Sequence, residues 1–167
     1  MIKLMGVLLI VISGAVSGSI ASMRLKEQTV TANLVYSMMI RISVLLRYNA
    51  LSVYEIISTL RGDNSFAELS FLQNIPTEYN AGEDFSAEWS KAVEEDNTLR
   101  DEEKGILKSF GNTFGTTDVS GQQTLIEKTS EELKKICEIR EAEYNKKGRL
   151  YRSVGILTGV MTGIALV

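Results

Sequence analysis

The chain has 167 residues, a formal net charge of −3, one cysteine and no histidine. Without histidine there is no imidazole to act as a base or to ligate a metal, and the lone Cys137 cannot form an internal disulfide. No glycine loop of the nucleotide-binding type occurs, and the negative charge argues against nucleic acid as a partner. We therefore expect a protein that is not an enzyme and that holds no cofactor or metal.

Both ends of the chain are apolar. Residues 4–22 and 154–167 carry no ionised side chain, whereas the middle holds every acidic residue and all but one of the basic residues. As helices, the first segment would be about 28 Å long, which suits a bilayer core, and the second, at about 21 Å, is short for a span. The sequence predicts an N-terminal transmembrane helix at 1–23, a helical domain at 24–152 and a C-terminal membrane helix at 153–167. A cleaved signal peptide is the alternative for the first segment.

Basic residues predict the orientation of the domain. Arg24 and Lys26 follow the first apolar segment, and Lys3 stands alone on its far side. A basic cluster precedes the second segment: Lys146, Lys147, Arg149 and Arg152. By the positive-inside rule the domain is cytoplasmic and both termini face outward. The same residues favour a membrane that contains anionic lipid.

Glycines recur at four-residue steps in both apolar segments. Gly14 and Gly18 form one pair, and Gly155, Gly159 and Gly163 form a run of three on one helix face. Small residues at this spacing let helix backbones approach closely in lipid. The pattern predicts helix packing, either between the two segments or with a partner, and a homo-oligomer is compatible with it. The alternative is that glycine is simply frequent in membrane helices.

Helical spacing dominates the first half of the domain. The first helix is predicted to continue from the membrane through about Tyr48, apolar nearly all round and therefore central. Capping boxes at residues 52–55 and 65–68 predict a second and a third helix. Residues 76–82, which begin at the only proline, Pro76, predict a linker and a candidate hinge between two helical halves.

The second half continues the helical pattern. Asp84 or Ser86 is predicted to cap a fourth helix that carries Trp89. A fifth helix is predicted over about residues 101–114, and a capping box at residues 120–123 opens a long last helix that leads into the second apolar segment. The predicted fold class is therefore all-α: a six-helix bundle flanked by an N-terminal and a short C-terminal membrane helix.

Residues 78–103 are strongly acidic, with Lys91 and Arg100 as the only basic side chains. A solvated face and first-turn acids that complement a helix N-terminus explain such a run without a function. If the acids have a function, a basic protein surface is their natural partner. Trp89 is predicted to be a core anchor, with a surface contact to a partner as the alternative. The candidate partner-binding acids are Glu94, Glu95, Glu102 and Glu103.

Several stretches resemble one known family along the whole chain. Residues 110–122 read FGNTFGTTDVSGQ, which is similar to the F-G-x-x-L-G-x-[ST]-D-x-x-x-Q signature of the stage III sporulation protein AB family. Residues 3–6, 51–55 and 85–89 resemble further family patterns, and residues 147–159 read KGRLYRSVGILTG, close to its Tyr-Arg…Gly ending. The departures are a phenylalanine where the family signature has leucine and a short, glycine-rich tail.

The resemblance implies a role in endospore formation. Members sit in the mother-cell membrane around the forespore, and their fold is similar to the cytoplasmic F domains of the type II secretion platform protein. In those machines the platform lies above a secretion-type ATPase, and the sporulation operon encodes a similar one. The implied function is a membrane-anchored platform in a sporulation-specific secretion or channel complex, with that ATPase and other membrane proteins as partners.

The signature has its own structural interpretation. Its glycines suit a tight turn, and Asp118 suits turn hydrogen bonds before the last helix. Partner recognition by Asp118 and Gln122 is the sharper alternative. At the level of function, the alternative is a membrane-tethered sensor or regulator that binds a small ligand or lipid. A hydrolase built on carboxylates alone would need two convergent buried acids, for which the sequence has no pattern.

Overall fold

The structure is a computed structural model that describes residues 2–49, 51–80, 82 and 84–165. The described residues form six α-helices and one 3-10 turn, Asn64–Phe66, and contain no β-strand. The predicted all-α class is therefore confirmed. The helices are α1 Ile2–Asn49, α2 Val53–Gly62, α3 Phe71–Asn74, α4 Phe85–Glu95, α5 Asp101–Thr113 and α6 Val119–Ala165.

The two long helices each contribute to both compact units of the chain. One unit, here called the bundle, is Val30–Cys137. The other, here called the paired ends, consists of Met1–Thr29 and Glu138–Val167. As predicted, α1 and α6 run without interruption from the apolar segments into the helical domain.

The second half of α1 is the centre of the bundle. Val35, Met38, Met39 and Ile42 are fully buried there, because their helical spacing places them on one wide apolar face. The short helices around it are amphipathic and bury their apolar residues against the same core, for example Ile56, Ile57, Leu60, Val93 and Leu107. The prediction that the first helix is central is confirmed.

An aromatic cluster joins the two halves of the bundle. Phe71, which precedes the linker, meets Trp89, which follows it, with ring centroids 5.8 Å apart. Tyr54 of α2 likewise packs edge-on against Phe85 of α4 at 5.6 Å. Since these rings lie in one continuous core, the linker connects parts of a single packed unit, and the predicted hinge between two helical halves is wrong.

Two helix starts follow the sequence prediction. At Ser52 the hydroxyl accepts from the Glu55 amide at 3.4 Å, and the Ser52 amide donates to the Glu55 carboxylate at 2.8 Å, which completes the capping box of α2. The α4 start uses Asp84, whose carboxylate accepts from the Ser86 amide at 3.0 Å. Local side-chain hydrogen bonding accounts for both starts.

Two other predicted capping boxes are wrong. Asp63 accepts from the Ser65 amide at 2.9 Å and starts the 3-10 turn, so the predicted third helix is replaced by this turn and the single-turn α3. Asp118 accepts from the Gly121 amide at 3.0 Å, and α6 begins before Ser120 can cap it. In both places an aspartate lies two residues upstream of the serine and supplies an acceptor earlier in the chain.

Candidate functional site

The turn between α4 and α5 carries the predicted partner-binding acids. Glu94, Glu95 and Glu102 are exposed, as predicted. Glu103 is only 2% exposed, so the expectation that this acid lies on the surface is wrong. It occupies the first turn of α5, where the positive end of the helix dipole lowers the cost of a buried carboxylate.

Glu94 is partly neutralised by its neighbours. The Lys108 ammonium forms a salt bridge with its carboxylate, and the Lys104 ammonium donates to its backbone carbonyl at 2.6 Å. The hydrogen bond from Lys108 lowers the pKa of Glu94. The exposed negative charge at this turn is thus smaller than the sequence suggests. We define the acidic surface as the exposed acids Glu95, Asp101 and Glu102.

Asp96, which the sequence interpretation treated as one more surface acid, holds the turn together. It is 3% exposed. Its carboxylate accepts five hydrogen bonds: from the Ser70 hydroxyl at 2.6 Å, the Phe71 amide at 2.8 Å, the Thr98 amide and hydroxyl at 2.6 Å each, and the Leu99 amide at 3.1 Å. Burial raises the pKa of Asp96, but these hydrogen bonds together outweigh it and leave the pKa below the usual value. The Asp-x-Thr spacing is an Asx-turn signal that could have revealed this role.

Gly111, the first glycine of the 110–122 motif, makes room for Trp89. Gly111 lies flat against the indole, and a Cβ there would overlap the ring. Phe110 and Phe114 stack with centroids 4.6 Å apart on the same cluster, and the indole Nε1 of Trp89 donates to the Leu107 carbonyl at 2.7 Å. Trp89 is fully buried. It is therefore the predicted core anchor, and the alternative of a surface contact is wrong.

The rest of the motif reverses the chain before α6. Gly115 has a φ of +86°, which only glycine adopts without strain. Asp118 caps α6, and the Gln122 side-chain amide donates to the Thr117 carbonyl at 2.9 Å. Asp118 and Gln122 thus hold a tight turn, and their predicted contact with a partner remains a prediction.

The glycines of the two apolar segments meet each other in the paired ends. A Cβ at Gly18 would lie 2.5 Å from the Tyr151 carbonyl oxygen, and one at Gly155 would lie 2.5 Å from the Gly14 carbonyl oxygen and 3.0 Å from the Gly18 Cα. The backbones of α1 and α6 therefore touch, and the predicted packing is realised within one chain at these three glycines. Gly159 and Gly163 lie outside the residues whose packing the structure describes.

The same contact continues away from the apolar segments. A Cβ at Gly148 would lie 3.3 Å from the Ser22 hydroxyl, and the Thr29 hydroxyl donates to the Arg140 carbonyl at 3.3 Å. Since later residues of α1 meet earlier residues of α6, the two helices run antiparallel in the paired ends.

Burial changes abruptly along α1. The stretch Ile12–Tyr48, with a mean hydropathy of 1.5, is long and apolar enough to cross a membrane, although a buried core helix passes the same test. Its second half supplies the bundle core but also exposes Ile40, Val44 and Tyr48, whereas no large apolar side chain between residues 12 and 29 is buried. The last part of α6 exposes apolar side chains as well. In these two stretches the exposed apolar residues include Ile12, Val16, Ile20, Met23, Val154, Ile156, Leu157 and Met161.

Within the residues that the structure describes, no three His, Cys, Asp or Glu side chains are grouped as metal ligands would be. Cys137 is 8% exposed inside α6. It occupies the position of a small apolar residue, as predicted from its place in the last helix.

These features define a small all-α protein with one long apolar N-terminal helix and a compact bundle in which Gly115, Asp118 and Gln122 hold the turn before α6. The chain belongs to the family described as stage III sporulation protein AB, which matches residues 3–167. The family membership predicted from the sequence motifs is therefore confirmed over essentially the whole chain. Comparison with curated proteins and with solved structures gave no match, so the likeness to type II secretion F domains stays a prediction.

Proposed function

We propose that this protein is a non-enzymatic, membrane-anchored assembly component of a sporulation-specific secretion or channel complex. It sits in the mother-cell membrane around the forespore, and its bundle docks a secretion-type ATPase in the cytoplasm. The observation that carries the proposal is the match to the stage III sporulation protein AB family over residues 3–167. A long apolar N-terminal helix and a compact helical bundle support the proposal.

Exposed apolar side chains support the anchor. Leu9, Ile12, Val16 and Ile20 of α1 are each about half exposed or more, as are Leu157 and Met161 of α6. Apolar surface in water costs about 25 cal/mol per Å², and a lipid bilayer removes that cost. Along the second half of α1 the core-facing side chains are covered by the other helices, although Ile40, Val44 and Tyr48 are exposed there as well.

The acidic surface is the proposed ATPase contact. Glu95, Asp101 and Glu102 are exposed at one turn between two packed helices, and Asp96 holds that turn in place through hydrogen bonds. A fixed patch of one charge sign steers and selects a partner of the opposite sign. The proposed partner surface on the ATPase is therefore basic.

Co-purification tests the contact. The full-length protein is purified in mild detergent from membranes of sporulating cells, and the ATPase that accompanies it is quantified. In the variant Glu95→Lys with Glu102→Lys we expect at least a tenfold loss of ATPase, with the largest difference at low salt because exposed charges are screened over about 10 Å at 0.1 M ionic strength. Glu94 and Glu103 are left unchanged, since one is paired with Lys108 and the other is buried.

A matched variant controls for total charge. Glu131→Lys with Glu138→Lys makes the same charge change at two exposed positions of α6, a helix that carries none of the acidic surface. We expect this control to retain the ATPase and normal spore formation. Equal ATPase recovery from both double variants would contradict the proposed contact. A protein that purifies alone from wild-type membranes would contradict the assembly role itself.

A further inference from the structure

The paired ends contain a cavity that the proposed function does not use. Its volume is about 400 Å³, and it is a shallow cavity that lies open to the surface rather than enclosed. All its lining residues belong to the paired ends: Ser17, Ile20, Ala21, Arg24, Leu25 and Tyr151.

The cavity crosses the boundary between apolar and charged sequence. Arg24 is the first charged residue after the apolar segment of α1. From Ser17 to Leu25 the helix rises about 12 Å at 1.5 Å per residue. The cavity therefore begins at Ser17 in the uncharged segment, continues past Ile20 and Ala21, and reaches Arg24. In the membrane-anchored protein this boundary is the level of the lipid headgroups.

The polar groups of the cavity favour an anion. Arg24 is exposed, and within the described part of the chain no carboxylate forms a salt bridge with it. A guanidinium binds phosphate oxygens in a bidentate fork. The Ser17 hydroxyl already donates to the Ser13 carbonyl at 2.9 Å, so Arg24 is the main recognition group. Tyr151 adds the amphipathic ring that is enriched at membrane interfaces.

We propose that this cavity binds one anionic phospholipid, with the phosphate at Arg24 and an acyl chain along Ile20 and Ala21. The site rests on the membrane anchor of the proposed function. Charge complementarity and the apolar base of the cavity both select a lipid over a soluble anion, because a free phosphate would leave the apolar part unfilled. The bound lipid would cover the seam between α1 and α6 next to the Gly18 contact.

Spin-labelled lipids test the site. The full chain is reconstituted in phosphatidylcholine vesicles with a trace of spin-labelled phosphatidylglycerol or phosphatidylcholine, and the motionally restricted fraction of each is measured. We expect a preference for the anionic lipid to which Arg24 contributes about fivefold, the size expected for one interfacial basic side chain. Arg24→Gln should remove that fivefold contribution and leave the preference that the other interfacial basic residues confer. Ile20→Trp, which fills the cavity and keeps the charge, should lower the restricted fraction of the anionic lipid toward that of phosphatidylcholine.

Lys26→Gln is the matched control, because Lys26 is exposed, carries the same charge two residues further on and does not line the cavity. It should keep most of the preference. Equal restriction of both lipids in the wild type, or equal losses in the Arg24 and Lys26 variants, would overturn the site. Displacement of the lipid by millimolar inorganic phosphate would also overturn it. If the protein fails to enter vesicles, both the proposed membrane anchor and the proposed lipid site are contradicted. If it enters normally but shows no preference for the anionic lipid, only the lipid site is contradicted.

Discussion

At the scale of single residues, burial separates acids that look alike in the sequence. Glu95, Asp96 and Glu103 lie within a few residues of one another, yet only Glu95 is exposed. Asp96 is tolerated in the interior because five donors surround its carboxylate, and a charge buried with such partners avoids the large cost of an unpaired one. Its hydrogen bonds tie the start of α3 to the turn that carries the acidic surface.

Asp96→Asn should destabilise the protein by about 2 kcal/mol at pH 7, since an amide cannot accept all five hydrogen bonds. The hydrogen bonds lower the pKa of Asp96 in the folded state, so the ionised carboxylate stabilises the fold above about pH 3.9, the value for an unfolded aspartate. That contribution is lost as the pH falls through the lower folded-state pKa. Urea unfolding of the full chain in detergent, at pH 7 and stepwise below pH 4, measures the free energy of unfolding of both proteins. The difference between wild type and variant should become smaller as the pH falls.

Asp101→Asn is the control for Asp96→Asn. Asp101 is exposed at the start of α5, and loss of its favourable placement at the helix N-terminus should cost about 0.5 kcal/mol. If Asp96→Asn lowers the free energy of unfolding by no more than Asp101→Asn does, the carboxylate of Asp96 does not hold the turn. The same conclusion follows if the effect of Asp96→Asn stays constant as the pH falls below 4.

At the scale of the elements, sequence patterns predicted the positions of the helices more accurately than the contacts between them. The starts of α2 and α4, the course of α1 and the course of α6 after its first turn follow from caps and helical spacing alone. The starts near Ser65 and Ser120 were misplaced because serine and aspartate compete to cap a helix, and the aspartate came first in the chain. The aromatic contacts that remove the hinge join residues distant in sequence, such as Phe71 and Trp89, and periodicity within one helix carries no information about them.

The packing of α4 on α5 depends on Gly111. Gly111→Ala should destabilise the full chain by about 1–3 kcal/mol, because a Cβ would overlap the Trp89 indole. The cost of this overlap exceeds the stabilisation that the higher helix propensity of alanine provides. Gly105→Ala, in the same helix with open space around its Cβ position, should instead stabilise by up to about 1 kcal/mol. Thermal unfolding should show a lower Tm for Gly111→Ala and a higher Tm for Gly105→Ala than for the wild type. A higher Tm for Gly111→Ala would contradict the close contact with Trp89.

At the scale of the whole molecule, the family, the all-α class and the apolar ends could be predicted from the sequence. The candidate site could be predicted only in part. Charge runs indicated where the acids lie but not that Asp96 and Glu103 are buried, since burial depends on which elements cover a residue. The glycine spacing predicted close helix packing but did not identify the partner helix. In the structure Gly14, Gly18 and Gly155 lie against each other.

The proposed topology has both termini outside and the bundle in the cytoplasm. In a Cys137→Ser background, single cysteines at Lys3 and at Val167 should react with a membrane-impermeant maleimide added from outside, and one at the exposed Glu131 should not. A new reporter in the bundle is needed because Cys137 is buried, so its lack of reaction would say nothing about sidedness. Labelling at Val167 only after the membrane is opened would leave α6 without a complete span.

The backbone contact between Gly18 and Gly155 also has a consequence for the order of folding. It joins two positions on either side of the entire bundle in sequence. Closing a flexible loop costs conformational entropy that grows with the logarithm of its length, by about 0.6 kcal/mol per doubling, and contacts this far apart in the chain form slowly. In the proposed membrane-anchored protein, the glycine face of α1 would lack its partner helix while the bundle is unfolded. The seam between the two helices should therefore form late, and a chain with a damaged bundle should lose the pairing of its ends even when both apolar segments are intact.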